Sequence, residues 1–175
     1  MNYATIKWTD IANGEGVRIS LFVSGCTHQC KNCFNQVAWD FHYGEVFDET
    51  IQEKIIKELG KSYISGLTLL GGEPLEPQNQ VALYPFVEKV RSLYPNTSIW
   101  CYTGYTFDAK QGILQEESKN TAYTKPLIAL FDVLVDGPFV EELKDIRLKF
   151  RGSSNQRIID VPKTLECGEV TLYLE

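Results

Sequence analysis

The sequence predicts an α/β fold, an incomplete parallel β/α barrel built as one domain over residues 1–175. Three observations lead there. Short apolar runs such as Leu21-Phe22-Val23 and Leu67-Thr68-Leu69-Leu70 have the composition of strands buried on both faces, the mark of a parallel sheet. These runs alternate with segments of helical spacing, as βα units do. A closed eight-unit barrel typically needs about 250 residues, more than the 175 available.

The elements follow in order. Tyr3 to Trp8 alternates weakly and precedes the turn cluster Asn13-Gly14-Glu15-Gly16, after which Arg18 to Val23 reads as a second strand. Thr50-Ile51-Gln52-Glu53 fits a capping box, Ile51, Ile55 and Leu59 share one helical face, and Gly60 follows as a stop, so a helix is expected over 50–59. Gly66 to Leu70 is a buried strand that ends in Gly71-Gly72-Glu73-Pro74. Leu83, Val87, Val90 and Tyr94 keep helical spacing, with Pro85 expected in the first turn or at a kink and Pro95 closing the segment. Ser98 to Tyr102 and Phe131 to Val135 are further strands, ending in Thr103-Gly104 and Asp136-Gly137-Pro138. Arg157 to Asp160 and Val170 to Tyr173 complete the strand set, and Ala109 to Lys125 is polar and irregular, with room for a short helix.

Composition narrows the function classes. Seventeen Lys and Arg against 23 Asp and Glu give a net charge of -6, which argues against general nucleic-acid binding. No apolar run approaches the ~20 residues of a membrane span, and Met1 to Lys7 lacks the apolar core of a signal peptide. A cytoplasmic protein is expected. In a reducing compartment its five cysteines favour metal or catalytic use over disulfides.

Three of those cysteines, Cys26, Cys30 and Cys33, lie at the spacing C-x3-C-x2-C, which reads as a metal-ligand loop. A four-iron cube normally takes four cysteinates, so this loop would leave one iron open to a non-protein ligand. Structural zinc, completed by His28 or a distant cysteine, is the alternative. Zinc ligands usually come in two clusters, and the chain has no second Cys/His pair. Cys101, in a buried strand, and Cys167 read as structural thiols.

The run into the loop is more specific. Gly14, Gly16, Arg18, Phe22, Gly25, Cys26, Cys30, Cys33 and Asn35 spell G-x-G-x-R-x3-F-x2-G-C-x3-C-x2-C-x-N. This resembles the signature of the glycyl-radical-activating enzymes of the radical S-adenosylmethionine superfamily, and Asp136 to Phe139 with Arg151 to Gln156 extend the likeness. The resemblance implies a [4Fe-4S] cluster on Cys26, Cys30 and Cys33, S-adenosyl-L-methionine chelated at the open iron, and an oxidoreductase activity that places a radical on a glycine of a partner. It implies that Gly71, Gly72 and Glu73 bind the methionyl ammonium. Many such loops carry an aromatic residue before the third cysteine; here Asn32 stands there and Phe34 follows, so Asn32, Cys33 and Phe34 are the candidates against the adenine. Asp136 is a candidate for the ribose or a cation, or a mere turn cap, and Asn155 and Ser153 are candidates for the ribose or carboxylate. The partner implied is the large glycyl-radical subunit of an anaerobic ribonucleotide reductase, with a low-potential electron donor such as a flavodoxin. Lys144, Arg147, Lys149 and Arg151 form a basic run, a solvated face by default and a docking surface as the alternative. Arg18 is expected to order the loop and not to perform chemistry.

Overall fold

The computed structural model describes residues 1–174. Strand β1 (Asn2–Asp10) turns into β2 (Arg18–Val23); β3 (Glu45–Val46) and helix α1 (Glu49–Leu59) follow the cysteine loop. Strand β4 (Gly66–Gly71), helix α2 (Pro77–Leu93) and strand β5 (Ser98–Tyr102) form a βαβ unit. A small hairpin, β6 (Phe107–Asp108) and β7 (Ile113–Leu114), precedes helix α3 (Thr124–Ile128) and strand β8 (Val133–Asp136). The chain ends with β9 (Arg157–Asp160), helix α4 (Val161–Cys167) and β10 (Leu172–Leu174).

The main sheet has eight strands in the order β10-β9-β8-β5-β4-β2-β1-β3. Its centre, β2-β4-β5-β8, is parallel as the apolar runs predict. Its flanks are not: β1 and β9 pair antiparallel with β2 and β8. The physical reason lies in the connections. Ile11–Val17 is too short for a crossover, and the 137–156 segment has only a 3-10 turn at Glu141–Leu143 in place of a crossover helix.

The two faces of the sheet have different covers. Ile19, Leu21, Val23, Leu67, Leu69, Ile99, Cys101, Leu134 and Ile159 pack in one core with Leu83, Phe86, Val87 and Val90 of α2. Each fully buried side chain of this kind contributes roughly 1.5–3 kcal/mol of transfer free energy. Trp100, Val133, Val135 and Ile158 form a second cluster on the opposite face, covered by Phe150 and Leu174. Phe150 meets Trp100 edge-on at 5.2 Å, so the 137–156 segment returns across that face.

One local detail differs from the sequence reading. Helix α1 starts at Glu49, capped by the Asp48 carboxylate, which accepts from Ile51 N at 3.0 Å; Thr50 lies inside the first turn. Pro85 lies in the interior of α2, which leaves the kink and not the first turn of the two placements the sequence allows. It sits on the solvent side, where the exposed Val81 can have its carbonyl hydrated.

Arg18 explains Gly14 of the Gly14-x-Gly16-x-Arg18 run, whereas a Cβ on Gly16 would meet Ser65 Oγ at 2.1 Å. Arg18 is fully buried and donates to Thr68 Oγ1 (2.7 Å) and to the carbonyls of Glu15 (3.0 Å), Leu67 (2.9 Å) and Ser98 (2.8 Å), with Trp100 under it at 5.4 Å. Burial pushes its pKa down to about 10. A Cβ on Gly14 would meet Arg18 Cδ at 2.8 Å, and one on Gly66 would meet Ser98 O at 2.0 Å and the guanidinium at 2.7 Å. Arg18 thus ties the starts of β2, β4 and β5 to the 13–15 turn; the cysteine loop, which the sequence expects it to order, leaves the opposite end of β2. Among the described residues, no helix is long and apolar enough to cross a membrane.

Candidate metal centre

The cysteine loop leaves the C-terminal end of β2, where ligand loops of parallel α/β sheets sit. Its entry is built from backbone contacts. Gly25 N donates to Ala38 O (2.7 Å), Cys26 N to Trp39 O (3.2 Å), Gly72 N to Val23 O (2.7 Å) and Glu73 N to Gly25 O (2.8 Å). Gly25 has φ +98°, and a Cβ there would strike the Phe41 ring at 2.1 Å. Glycine is required on both counts.

The next two residues are held by carboxylates. Glu76 is 2% exposed; its Oε1 accepts from Thr27 N (2.8 Å), Thr27 Oγ1 (2.5 Å) and Tyr105 OH (2.8 Å), and its Oε2 from Lys119 Nζ (3.0 Å). Glu73 is 1% exposed. Its Oε1 accepts from Leu75 N (2.9 Å) and Thr103 Oγ1 (2.8 Å); its Oε2 accepts from Gly104 N (2.8 Å) and meets His28 Nε2 at 2.8 Å. The His28 ring also lies on Tyr105, centroids 4.2 Å apart. Burial alone would lower the His28 pKa, but the bond to Glu73 and the surrounding carboxylates raise it above its ordinary value.

The second half of the loop is looser. Cys33 N donates to Cys30 O at 3.1 Å and Asn35 N to Cys33 Sγ at 3.4 Å. Gln29 and Asn32 adopt positive φ, 50° and 59°, a region Asn enters more readily than most residues. All three thiols are free. Burial, with Glu73 and Glu76 adding to it, pushes Cys26 up to about 12, and burial raises Cys30 as well. A metal must therefore displace a proton to take the thiolate.

Cys26, Cys30 and Cys33 line one cavity of about 510 Å³ together with Asn32, Phe34, Gly71, Gly72 and Glu73. The rest of the cavity wall comes from Tyr102, Thr103, Gly137, Phe139 and the 144–152 segment. Of the other expected site residues, Asp136 and Asn155 are not on this wall. Asp136 is fully buried, accepts from Phe107 N at 2.8 Å and Arg157 Nε at 2.8 Å, and pairs again through Arg157 Nη2. Asn155 Nδ2 donates to Pro138 O at 2.8 Å, and the Ser153 hydroxyl accepts from Val140 N at 3.2 Å. These three shape the 137–156 segment from behind. Arg151 does reach the cavity, as does Lys144. Cys101 points into the helix-side core and Cys167 lies at the end of α4, so neither thiol joins the loop.

Thr27, Glu76, Thr103, Tyr105 and Lys119 were not singled out by their residue types. The available signal was the spacing of Glu73 and Glu76, two acids three apart at the entry to a helix that starts with Pro77.

The residues fit an iron-sulfur cube better than a single zinc ion. Among the described residues, no three His, Cys, Asp or Glu side chains converge on one point as a single metal ion needs. Three thiols spread along a cavity wall suit a group with several metal atoms.

Comparison with known proteins agrees. Residues 12–159 match the protein family described as a 4Fe-4S single cluster domain. The chain is 46% identical over 160 residues to the anaerobic ribonucleoside-triphosphate reductase-activating protein of Haemophilus influenzae, covering 90% of this chain and 97% of that one. It is 40% identical over 158 residues to the protein of that name from Escherichia coli K12 (89% and 96% covered). It is 39% identical over 158 residues to that of Enterobacteria phage T4 (90% and 93%).

Proposed function

The chain belongs to the 4Fe-4S family of anaerobic ribonucleoside-triphosphate reductase-activating proteins, and from that premise we propose that it activates such a reductase by generating a glycyl radical on its large subunit. The observation that carries this is the shared cavity: three thiols of one loop open onto the same space as the Gly71-Gly72-Glu73 strand end. Bound to Cys26, Cys30 and Cys33, a [4Fe-4S] cluster with one open iron would supply an electron to the sulfonium of S-adenosylmethionine, giving methionine and a 5′-deoxyadenosyl radical that takes the hydrogen of a glycine Cα.

The chain's own residues have defined parts in this proposal. Gly71 and Gly72 let the cofactor approach the β4 backbone, and Glu73 takes its ammonium through a charge-assisted bond. Both Glu73 oxygens already carry two donors, so the ammonium takes the place of His28 on Oε2. Asn32 or Phe34 covers the adenine. We read the open sheet as an incomplete barrel, with the reductase closing its mouth and keeping water from the radical. Phe34 and Ile146, both 92% exposed, line the same cavity. Lys144 and Arg147 beside it are paired with Glu141 and Asp145 and would exchange those partners on docking. A low-potential donor such as a flavodoxin would deliver the electron in the cytoplasm.

The test is electron paramagnetic resonance of anaerobically reconstituted protein mixed with reductase, cofactor and reductant, the reductase carrying α-deuterated glycine. A doublet that collapses on deuteration, with deuterium recovered in 5′-deoxyadenosine, is the expected result. Cofactor turnover that needs no reductase and responds to a small molecule would refute the proposal.

A further inference from the structure

Thr27 follows Cys26 directly, and both of its hydrogen-bond donors, the backbone N–H and the hydroxyl, end on Glu76 Oε1. Hydrogen bonds to cluster sulfurs and local net charge are the protein's main controls on cluster potential, which spans about -700 to +450 mV. A carboxylate that draws two adjacent donors to itself keeps them from the sulfurs. It also places a negative charge one residue from a ligand. Both effects favour the oxidised cluster and so lower the potential. Cleaving a sulfonium needs the low end of the range.

Lys119 opposes this charge. Its Nζ reaches Glu76 Oε2 at 3.0 Å and Thr27 Oγ1 at 2.8 Å, and it lies over Tyr105 at 5.6 Å. Burial would favour the neutral acid, yet the bonds from Thr27, Lys119 and Tyr105 outweigh it and lower the Glu76 pKa, so the carboxylate is charged at neutral pH.

Resting on the function proposed above, we infer that Glu76 is a positioning residue that fixes Thr27 and, with Lys119 as its counter-charge, sets the reduction potential of the cluster on the neighbouring cysteines. The two residues act with opposite sign. Glu76→Gln keeps an acceptor for Thr27 and leaves Lys119 unopposed, so the potential rises. Lys119→Met leaves Glu76 unopposed, so the potential falls. Loosening of the loop alone has no reason to move the two variants in opposite directions.

The experiment is a redox titration at pH 8 of the reconstituted cluster in wild type, Glu76→Gln and Lys119→Met, followed by electron paramagnetic resonance, with iron and labile sulfide measured on each sample. The expected change is at least tenfold in the one-electron reduction equilibrium, about 59 mV, upward for Glu76→Gln and downward for Lys119→Met. Equal potentials, or shifts of one sign in both variants, would overturn the inference while leaving the proposed function standing. If Glu76→Gln fails to hold a cluster, Lys119→Met decides alone: a fall supports the inference and any other result refutes it. Wild-type protein without iron and sulfide would remove the functional reading and this inference together.

Discussion

Gly72→Ala is the sharpest test of how the strand end and the cysteine loop fit together. A Cβ on Gly72 would lie 2.7 Å from Gly25 O, 2.9 Å from Ala38 O and 3.1 Å from Gly25 C. These are backbone atoms, and they are tied to each other, since Gly25 N donates to Ala38 O at 2.7 Å and Glu73 N to Gly25 O at 2.8 Å. No side chain can swing away to make room. Overpacking of this kind costs about 1–3 kcal/mol, and at this chain length each kcal/mol lowers Tm by roughly 2–4 °C, so a fall of about 2–12 °C is expected. The displaced Gly25 carries Cys26 with it, so reconstituted iron should fall as well. Gly168→Ala supplies the control: Gly168 has φ +74° with nothing within 4 Å of the added carbon, and its left-handed strain costs about 1–2 kcal/mol far from the cavity. Thermal unfolding by circular dichroism and iron analysis on both variants separate the cases. Gly72→Ala with full iron and a Tm within about 1 °C of wild type would refute the contact argument.

Alanine at Cys26, Cys30 or Cys33 should abolish the intact cluster, whereas alanine at Cys101 or Cys167 should leave about four irons per chain by colorimetric assay, the content of the cube. Asp136→Asn should lower stability by about 2–3 kcal/mol, less than the 3–5 of a fully buried pair because Arg157 is 33% exposed; denaturant unfolding measures the loss, and retained iron would show that the carboxylate is no cluster support. Because folding lowers the Glu76 pKa, its charge stabilises the fold above its ordinary value of about 4.3 and that contribution fades as pH falls through the folded value. The stability gap between wild type and Glu76→Gln should therefore be widest near pH 7 and shrink toward pH 3 in urea titrations. Glu73→Ala should weaken S-adenosylmethionine binding roughly ten- to a hundredfold, the equivalent of about 1.5–3 kcal/mol, read by equilibrium binding to the reconstituted protein.

The central strands were legible because local pattern decides them. Doubly buried strands such as Leu67 to Leu70 read as nearly continuous apolar runs, here interrupted only by Thr68, whose hydroxyl is bonded to Arg18 and Asn13. Strand direction at the sheet edges was not legible, since it depends on what the connection does in space and Lys144 to Arg151 carries no periodicity. For the same reason Asp136 read as a candidate ligand: its partner Arg157 sits 21 residues on, brought beside it only by the antiparallel return of β9. Asp48 and Thr50 are both good capping residues, and the backbone chose the first. Glu76 carries no local signal, since an acid near a helix start is ordinary and only the fold brings Thr27 and Lys119 onto it.

The cysteine loop is unequally tethered. Thr27 and His28 are fastened by partners from residues 73–119, all contributed by protein, so Cys26 is in place only after that much chain has been made and folded. Between Gln29 and Asn32 the backbone bends through two left-handed positions, with far fewer anchors. A cluster held by this loop would have Cys26 as its fixed post, with Cys30 and Cys33 on the part of the loop that has fewer anchors. Were a cluster bound to the three thiols, its loss would release Cys30 and Cys33 while the protein's own bonds kept the Cys26 end of the loop in place.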